Sequence, residues 1–282
     1  MTKITNRTVL ITGAAAGIGK LLAKRCLEEK AYQVVLWDIN EEKLDETRDE
    51  FAREGYKNVT SYVVDVSDVE DIKAAADAVR AEVGTVEILF NNAGVVVGKP
   101  FAEHSHRDIA KTININVSGA MHVAAEFIDE MLQQQEGHII NIASAAGLMP
   151  NPNMSVYAGS KWAVLGWSES LRLEMERDKT GVQITTVLPS YINTGMFDGV
   201  KAPMLTPIME PDYIVEKIIQ GVKDNEILLK EPFMVRSVPI LRGLLPTRVF
   251  DYVAGKLFGV YKTMETFVGK PKKEALPEKR KQ

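Results

Sequence analysis

Short apolar runs alternate with helix-patterned segments along most of this chain, and that alternation excludes most folds before any motif is read. Residues 8–11 precede a helical pattern over 18–29, and 34–37 precede the charged 41–54. Residues 59–64 precede 69–82, and 88–90 precede a long helical stretch over 105–135. An apolar run at 138–142, a helical pattern over 156–177 and a run over 182–188 come next, then a helix over 211–222 and a strand over 226–229. Strands this short and continuously apolar are buried on both faces, and strands separated by helices run parallel. The expectation is an α/β fold, a doubly wound parallel sheet with helices on both faces. No internal repeat or low-complexity block breaks the order, and 282 residues suit one such domain. We expect that domain to occupy residues 1–232. Residues 233–282 then form a C-terminal apolar-basic extension, a helical appendage with a Lys/Glu/Pro tail expected to be disordered after Lys270.

The turn after the first apolar run reads Thr12-Gly13-Ala14-Ala15-Ala16-Gly17-Ile18-Gly19 and opens the first helix. Glycine permits a tight turn and lets backbone N–H groups approach an anionic pyrophosphate at the positive helix end. Gly13, Gly17, Ile18 and Gly19 are therefore candidate dinucleotide contacts, and the sheet is expected to be of the Rossmann type. A phosphate-cradling loop of the Gly-x4-Gly-Lys-Ser/Thr kind fails, because Ala14 and Leu21 stand where it needs a glycine and a hydroxyl. Asp38, followed by Ile39, closes the second run. A carboxylate there accepts hydrogen bonds from an adenosine ribose and repels a 2′-phosphate, favouring NAD over NADP. The competing reading is a helix cap. Asp65-Val66, after the third run, offers the same pair of readings, an adenine edge or a cap. Asn92-Ala93-Gly94, after the fourth, makes a sharp turn where backbone passes close to a ligand.

Tyr157 and Lys161 stand four residues apart on one helix face, and Ser144 lies just past the fifth strand. The strand ends of a parallel sheet share one edge, so this serine and the start of the next helix can face one crevice. Interconverting an alcohol and a carbonyl needs a proton donor or acceptor beside the hydride path. A tyrosine of ordinary pKa, about 10, is a poor base at neutral pH. A nearby ammonium and a positive nicotinamide ring would stabilise the phenolate, and Ser144 could orient the substrate oxygen. A bare Tyr-x3-Lys is common on helix surfaces. Its weight here comes from following a nucleotide turn, an acid and a serine in order.

Taken together, these motifs resemble the classical short-chain dehydrogenase/reductase family over residues 7–229. The resemblance implies a catalytic set of Asn116, Ser144, Tyr157 and Lys161. In it, Asn116 supports a water that relays protons through Lys161, and Lys161 also holds the nicotinamide ribose. It places Pro189, Ile192 and Thr194 near the carboxamide, with Ser190 where the family commonly has glycine. Asn116-Val117-Ser118 also matches a glycosylation acceptor, a reading that does not suit a residue inside an α/β core. Residues 34–40, 143–147 and Leu244-Leu245-Pro246-Thr247-Arg248 are similar to the subgroup of retinol dehydrogenases and membrane- or lipid-droplet-associated 17β-hydroxysteroid dehydrogenases. That similarity implies a retinoid-, steroid- or fatty-alcohol-like substrate. The family also implies a homodimer or homotetramer built on the helices at 105–135 and 156–177. There, Ala163, Val164, Leu165, Trp167, Leu171, Leu173 and Met175 exceed a single core-facing stripe. The alternative is that they are buried within the subunit. The subgroup's hydrophobic N-terminal anchor has no counterpart in residues 1–6, and a cytoplasmic protein is expected.

Composition narrows the partners. The net charge is −4, with no basic excess to attract nucleic acid. A single cysteine, Cys26, excludes an intrachain disulfide and fits a reducing compartment. His104, His106, His122 and His138 lack metal-ligand spacing, so no metal is expected and packing or surface roles are. No secretory signal is expected, and the sequence holds no apolar run of about 18 residues. Around the expected site, Val95-Val96-Val97, Leu148-Met149-Pro150, Met154 and the stretch from Met196-Phe197 to Met204-Leu205 suit a lipophilic alcohol or ketone. Alternatively they pack on one another or on a second subunit.

Residues 239–282 hold ten Lys/Arg and four acids, a balance of +6 against −10 for the remainder. Mixed with large apolar residues, this reads either as a peripheral membrane or lipid-surface contact or as a cover over the substrate pocket. The functional expectation is an NAD-dependent oxidoreductase moving a hydride between nicotinamide and a secondary alcohol or ketone. One alternative is a non-catalytic NAD-sensing Rossmann binding protein, which would show lesions among the four catalytic positions; none is seen. Another is an epimerase or dehydratase on this fold, which needs site groups that the sequence does not display.

Overall fold

Seven parallel strands form one sheet in the order β3-β2-β1-β4-β5-β6-β7 in the computed structural model, which describes residues 1–204 and 206–268. They are β1 (Thr8–Thr12), β2 (Gln33–Asp38), β3 (Val59–Val63), β4 (Ile88–Asn91), β5 (Gly137–Ile142), β6 (Val182–Pro189) and β7 (Leu228–Glu231). Helices α1 (Gly17–Glu28), α2 (Glu41–Arg53) and α7 (Pro211–Asp224) cover one face. Helices α3 (Val69–Glu82), α5 (Ala120–Gln134) and α6 (Ser155–Arg177) cover the other, with α4 (His106–Ile113) ahead of α5.

The period of two along each strand sorts the core. Val9, Ile11, Val34 and Leu36 enter the α1/α2/α7 side, while Leu10, Val35, Trp37 and Leu89 enter the other. Each such side chain, fully buried, contributes roughly 1.5–3 kcal/mol. The chain runs outward from β1 to β3, then crosses back to β4. Strand order therefore reverses between β1 and β4, and a crevice opens there at the carboxyl ends of the strands.

Two elements differ from the sequence expectation. The stretch at 105–135 is helical throughout, as expected, but it is not regular α-helix: a π-helical segment, Asn114–Gly119, joins α4 to α5. A Cβ at Gly119 would stand 2.4 Å from the Val66 carbonyl oxygen, so the helix passes the loop after β3 at backbone contact, and the widened turn absorbs the extra residue. Strand β7 starts at Leu228 rather than 226, because Asn225 (φ +55°) ends α7 and Glu226 N–H donates back to the Gly221 carbonyl.

Beyond β7 the chain forms a 3-10 turn (Phe233–Ser237), α8 (Val238–Leu244), α9 (Thr247–Tyr252), a π-helical segment (Val253–Leu257) and a second 3-10 turn (Val260–Lys262). Arg242 ties this extension to the core, donating to the Leu148 carbonyl at 2.9 Å and lying 4.2 Å over the Trp162 ring. The tail expected to be disordered lies outside the described residues. Among the described residues, no helix is long and apolar enough to cross a membrane.

Candidate active site

The glycine turn is shaped by contacts that leave no room for side chains. Gly13 and Gly17 take φ of +67° and +57°. A Cβ at Gly13 would meet Ala93 Cα at 2.9 Å, and one at Gly19 would meet the Gly13 oxygen at 2.1 Å. Thr12 Oγ1 accepts from the N–H groups of Asn92 and Ala93, both at 3.0 Å. Asn92 Nδ2 donates to the carbonyls of Thr12 (2.9 Å) and Gly13 (3.1 Å), stitching the turn after β4 to the turn after β1. Helix α1 starts with no side-chain cap and no acid in its first turn. Helices α2, α3 and α4 are capped by Asn40, Asp68 and Ser105 and carry acids there. Open N–H groups and an uncompensated positive helix end fit a pyrophosphate.

Asp38 accepts from Ala15 N–H and Asn40 N–H, each at 3.0 Å, so its carboxylate is fixed beside the turn. The cap of α2 is Asn40, which removes the capping reading for Asp38. Asp65 accepts from the backbone and hydroxyl of Ser67, and Asp68 caps α3 instead.

One cleft runs along this edge of the sheet. Gly13, Gly17, Ile18, Asp38, Ile39, Asp65, Val66, Asn92, Ala93 and Gly94 line its first part; Ser144, Tyr157, Lys161, Pro189, Ile192 and Thr194 line the rest. Two candidates are not on its wall. Gly19 stands behind it, packed on Gly13. Asn116 is 2% exposed, with Oδ1 accepting from Val95 N–H (2.8 Å) and Nδ2 donating to the Val95 carbonyl (2.9 Å) and Ser160 Oγ (3.0 Å). Its side chain holds the wall rather than forming it, because all of its polar atoms are used.

Tyr157, Ser144 and Lys161 converge at one end of the cleft. Lys161 Nζ donates to the Ile142 carbonyl at 2.7 Å and lies 5.8 Å from the Tyr157 ring centre. Ser144 Oγ accepts from Ala146 N–H at 3.1 Å. Burial pushes the Tyr157 phenol up to about 12, against a downward pull from the Ser144 hydroxyl, and burial brings the Lys161 ammonium down to about 8. In the polypeptide alone, desolvation outweighs the stabilisation of phenolate expected from the lysine, because Met154, Tyr191 and Phe197 enclose the ring. Burial thus favours a phenol that keeps its proton and draws the neighbouring amine toward its neutral form.

A second, apolar chamber meets the cleft at Ser144, Ser190 and Phe197. Met149, Met154 and Tyr191 form its floor, and Val238, Leu241, Phe250, Val253, Ala254 and Phe258 of the extension roof it. The inner face of the extension thus follows the pocket-covering reading. Of the other expected wall residues, Val95 and Met196 line the cleft, Leu148 packs elsewhere beside Val117 and Leu188, and Leu205 lies outside the described residues.

Sequence reasoning missed Thr12 and Ser160 as organisers, and it missed a buried polar knot. Tyr191 OH lies 2.7 Å from Thr263 Oγ1, and Asn151 Nδ2 donates to both at 2.9 and 3.1 Å. The one signal available was that polar residues sit at strand and helix ends; their partners, 40 and 112 residues away, are not legible locally. Among the described residues, no group of three or more His, Cys, Asp or Glu is placed to hold a metal ion.

Residues 7–204 match the short chain dehydrogenase family. Epidermal retinol dehydrogenase 2 of Mus musculus is 37% identical over 274 residues, covering 96% of this chain and 88% of that protein. Estradiol 17-beta-dehydrogenase 11 of Pongo abelii is 36% identical over 255 residues, covering 90% and 84%. A short chain dehydrogenase/reductase from Burkholderia phymatum, solved with NAD, superposes with a TM-score of 0.79 at 26% identity, covering 86% of this chain and 95% of its own. A short-chain dehydrogenase from Sphingobium yanoikuyae, solved with NADPH, gives 0.74 at 26% identity, covering 96% and 99%. With the motifs, the sheet and these relatives in agreement, the chain belongs to the short-chain dehydrogenase/reductase family of oxidoreductases, in its retinol dehydrogenase and 17β-hydroxysteroid dehydrogenase subgroup.

Proposed function

We propose that the protein is an NAD-dependent enzyme interconverting a secondary alcohol and its ketone on a lipophilic substrate, with Tyr157 as the general acid and base. The observation that carries this reading is the meeting of a dinucleotide-shaped cleft and an apolar chamber at Ser144, beside Tyr157 and Lys161. A bound nicotinamide dinucleotide supplies or accepts the hydride. The Ser144 hydroxyl orients the substrate oxygen, and Tyr157 gives that oxygen its proton in reduction or takes it in oxidation. The Lys161 ammonium stabilises the phenolate that results and holds the nicotinamide ribose. Asn116, fixed to Val95 and Ser160, sets the backbone around the proton path, and the apolar roof keeps water from the reacting carbon.

For the cofactor, Asp38 is the discriminating group. Two backbone N–H groups hold its negative charge at the cleft, and Ala16 offers no cation to offset a 2′-phosphate. The test is a panel of secondary alcohols and ketones assayed with NAD and NADP by reduced-nicotinamide absorbance. Turnover with higher kcat/KM for NAD is expected, and Asp38→Ser should narrow the difference. Equal efficiency with both cofactors would refute the assignment, and absence of any turnover would favour an NAD-sensing binding protein.

We also propose a cytoplasmic homodimer or homotetramer assembled through α4, α5 and α6. Val164 and Met175 are buried in the subunit, and Leu165, Trp167 and Leu171 pack on its own clusters, so most of the apolar excess of α6 is used internally. Ala163, Gly166, Ser170 and Leu173 remain exposed along one low face, which supports close helix contact with a second copy. Light scattering should show an oligomer; a monomer at all concentrations counts against it.

A further inference from the structure

Helices α8 and α9 turn Leu241 and Phe250 into the chamber and leave Ile240, Leu244 and Tyr252 outward. The chain beyond them is built differently. Residues 258–268 form a strap that runs antiparallel to residues 198–204, part of the loop between β6 and α7. Val268 N–H donates to the Asp198 carbonyl at 2.9 Å, Lys201 N–H to the Thr263 carbonyl at 3.3 Å, and Met204 N–H to the Phe258 carbonyl at 2.9 Å. Thr266 Oγ1 donates to the Gly199 carbonyl at 2.6 Å. Gly199 takes a φ of +84°, and a Cβ there would stand 2.2 Å from the Thr266 oxygen, so strap and loop meet at backbone contact.

This seam brings side chains from the end of the chain to Tyr157. Met264 and Val200 share one buried cluster with Tyr157, Met154 and Tyr191, and Phe197 and Phe267 pack against it. The Phe197 ring stands edge-on to Tyr157 at 6.0 Å and to Tyr191 at 5.2 Å. Gly98 makes room for the strap: a Cβ there would meet the Phe267 ring at 2.5 Å and Met264 Cε at 2.6 Å. The titratable groups at the phenol are Lys161 on its own helix and Tyr191 beyond β6. The charged residues of the strap and loop, Asp198, Lys201, Lys262 and Glu265, are exposed, and Lys99, next to Gly98, is paired with Asp108. What the strap and loop bring into the cluster is therefore apolar.

We infer that Met264 and Phe267 are positioning residues for Tyr157: the strap seals the phenol from water, so that its proton is exchanged with the substrate oxygen rather than with solvent. Neither side chain carries a proton of its own; both act through the environment of the phenol. Burial is what holds that phenol at about 12. Water admitted beside it would solvate the phenolate and draw the ionisation back toward the ordinary value of about 10. The hydroxyl of Thr263, bonded to Tyr191 and Asn151, fixes the strap at the residue before Met264. The consequence for turnover rests on the reading of Tyr157 as acid and base; the sealing itself does not.

The experiment reads Tyr157 ionisation in the full chain by tyrosinate absorbance, at alkaline pH values where circular dichroism shows the protein folded. The signal of Tyr157 is the difference between each protein and the same protein carrying Tyr157→Phe. Met264→Ala should raise the phenolate fraction at a given pH roughly ten-fold, a move of about one pH unit toward neutrality. Phe267→Ala should give a smaller move of the same sign. Met264→Leu, which restores apolar volume, should return the parent behaviour. Gly98→Ala displaces only the tips of Met264 and Phe267, and it should act in the same direction without removing either side chain. In ketone reduction, which needs the protonated phenol, the alkaline limb of kcat should move with the absorbance. A lower melting temperature with unmoved Tyr157 ionisation in Met264→Ala and Gly98→Ala would make the strap a structural cover and overturn the inference. Failure of Met264→Leu to restore the parent ionisation would overturn it as well. Ionisation that moves as expected in a protein that turns over no alcohol or ketone would support the sealing and count against the catalytic reading alone.

Discussion

At the dinucleotide end, four hydrogen bonds of 3.1 Å or less join the turn after β1 to the turn after β4, and each involves a backbone atom. Over the chamber, α8 and α9 span seven and six residues and are tied to the core by Arg242 and by the knot at Thr263. The first region is held by backbone at distances that admit no Cβ; the second rests on side-chain packing. Backbone-held geometry tolerates almost no substitution, whereas a packed roof can exchange residues of similar volume. A site that pairs one invariant chemistry with a changeable substrate has reason to be divided in this way.

The sharpest test separates chemistry from both regions. Tyr157→Phe keeps the ring packed against Phe197 but removes the transferable proton, so turnover should fall about 10²–10⁴-fold. Dinucleotide affinity and melting temperature should stay near those of the parent. Near-normal kcat in this variant would break the assignment of Tyr157.

The next effect belongs to the sheet. His138 is fully buried on β5 with its ring nitrogens bonded to Thr2 and Thr185, and burial brings its pKa from 6.5 down to about 3. The unfolded chain takes up this proton as pH falls through 6.5, and the folded protein does not. The stability held by neutral His138 is therefore complete above that value and is lost progressively on acidification toward 3. Urea midpoints should report a loss of about 2 kcal/mol between neutral pH and about 5. His138→Gln should flatten that dependence; an unaltered slope would show that other groups cause it.

The smallest effect is expected in the roof. Thr263→Val keeps the shape but removes the hydroxyl that Asn151 and Tyr191 share, while those two remain bonded to each other. A cost of about 1 kcal/mol follows, seen as a few degrees of melting temperature. The functional signature is selective: KM for a lipophilic ketone rises, and dinucleotide affinity is unchanged. If both constants moved together, the two regions would not be as separable as their construction implies.

The sequence by itself determined the features that act over a few residues. Short continuous apolar runs alternating with segments of helical period specified seven strands and their intervening helices. Asp38 at the end of β2, the glycines at the start of α1 and the four-residue spacing of Tyr157 and Lys161 were legible for the same reason, since strand ends and helix faces are local. Tertiary structure decided what depends on distant partners. The π-helical segment carries Gly119 past Val66 at backbone contact, and Asn116 is withdrawn from the cleft wall because Val95 and Ser160 take its amide. The proton affinity of Tyr157 follows from enclosure by residues distant in the chain, Met154, Tyr191, Phe197 and Met264 among them. The roof, too, was visible only as an apolar-basic stretch until its two faces were assigned. Hydrophobic pattern says that a surface must be buried; only packing says against what.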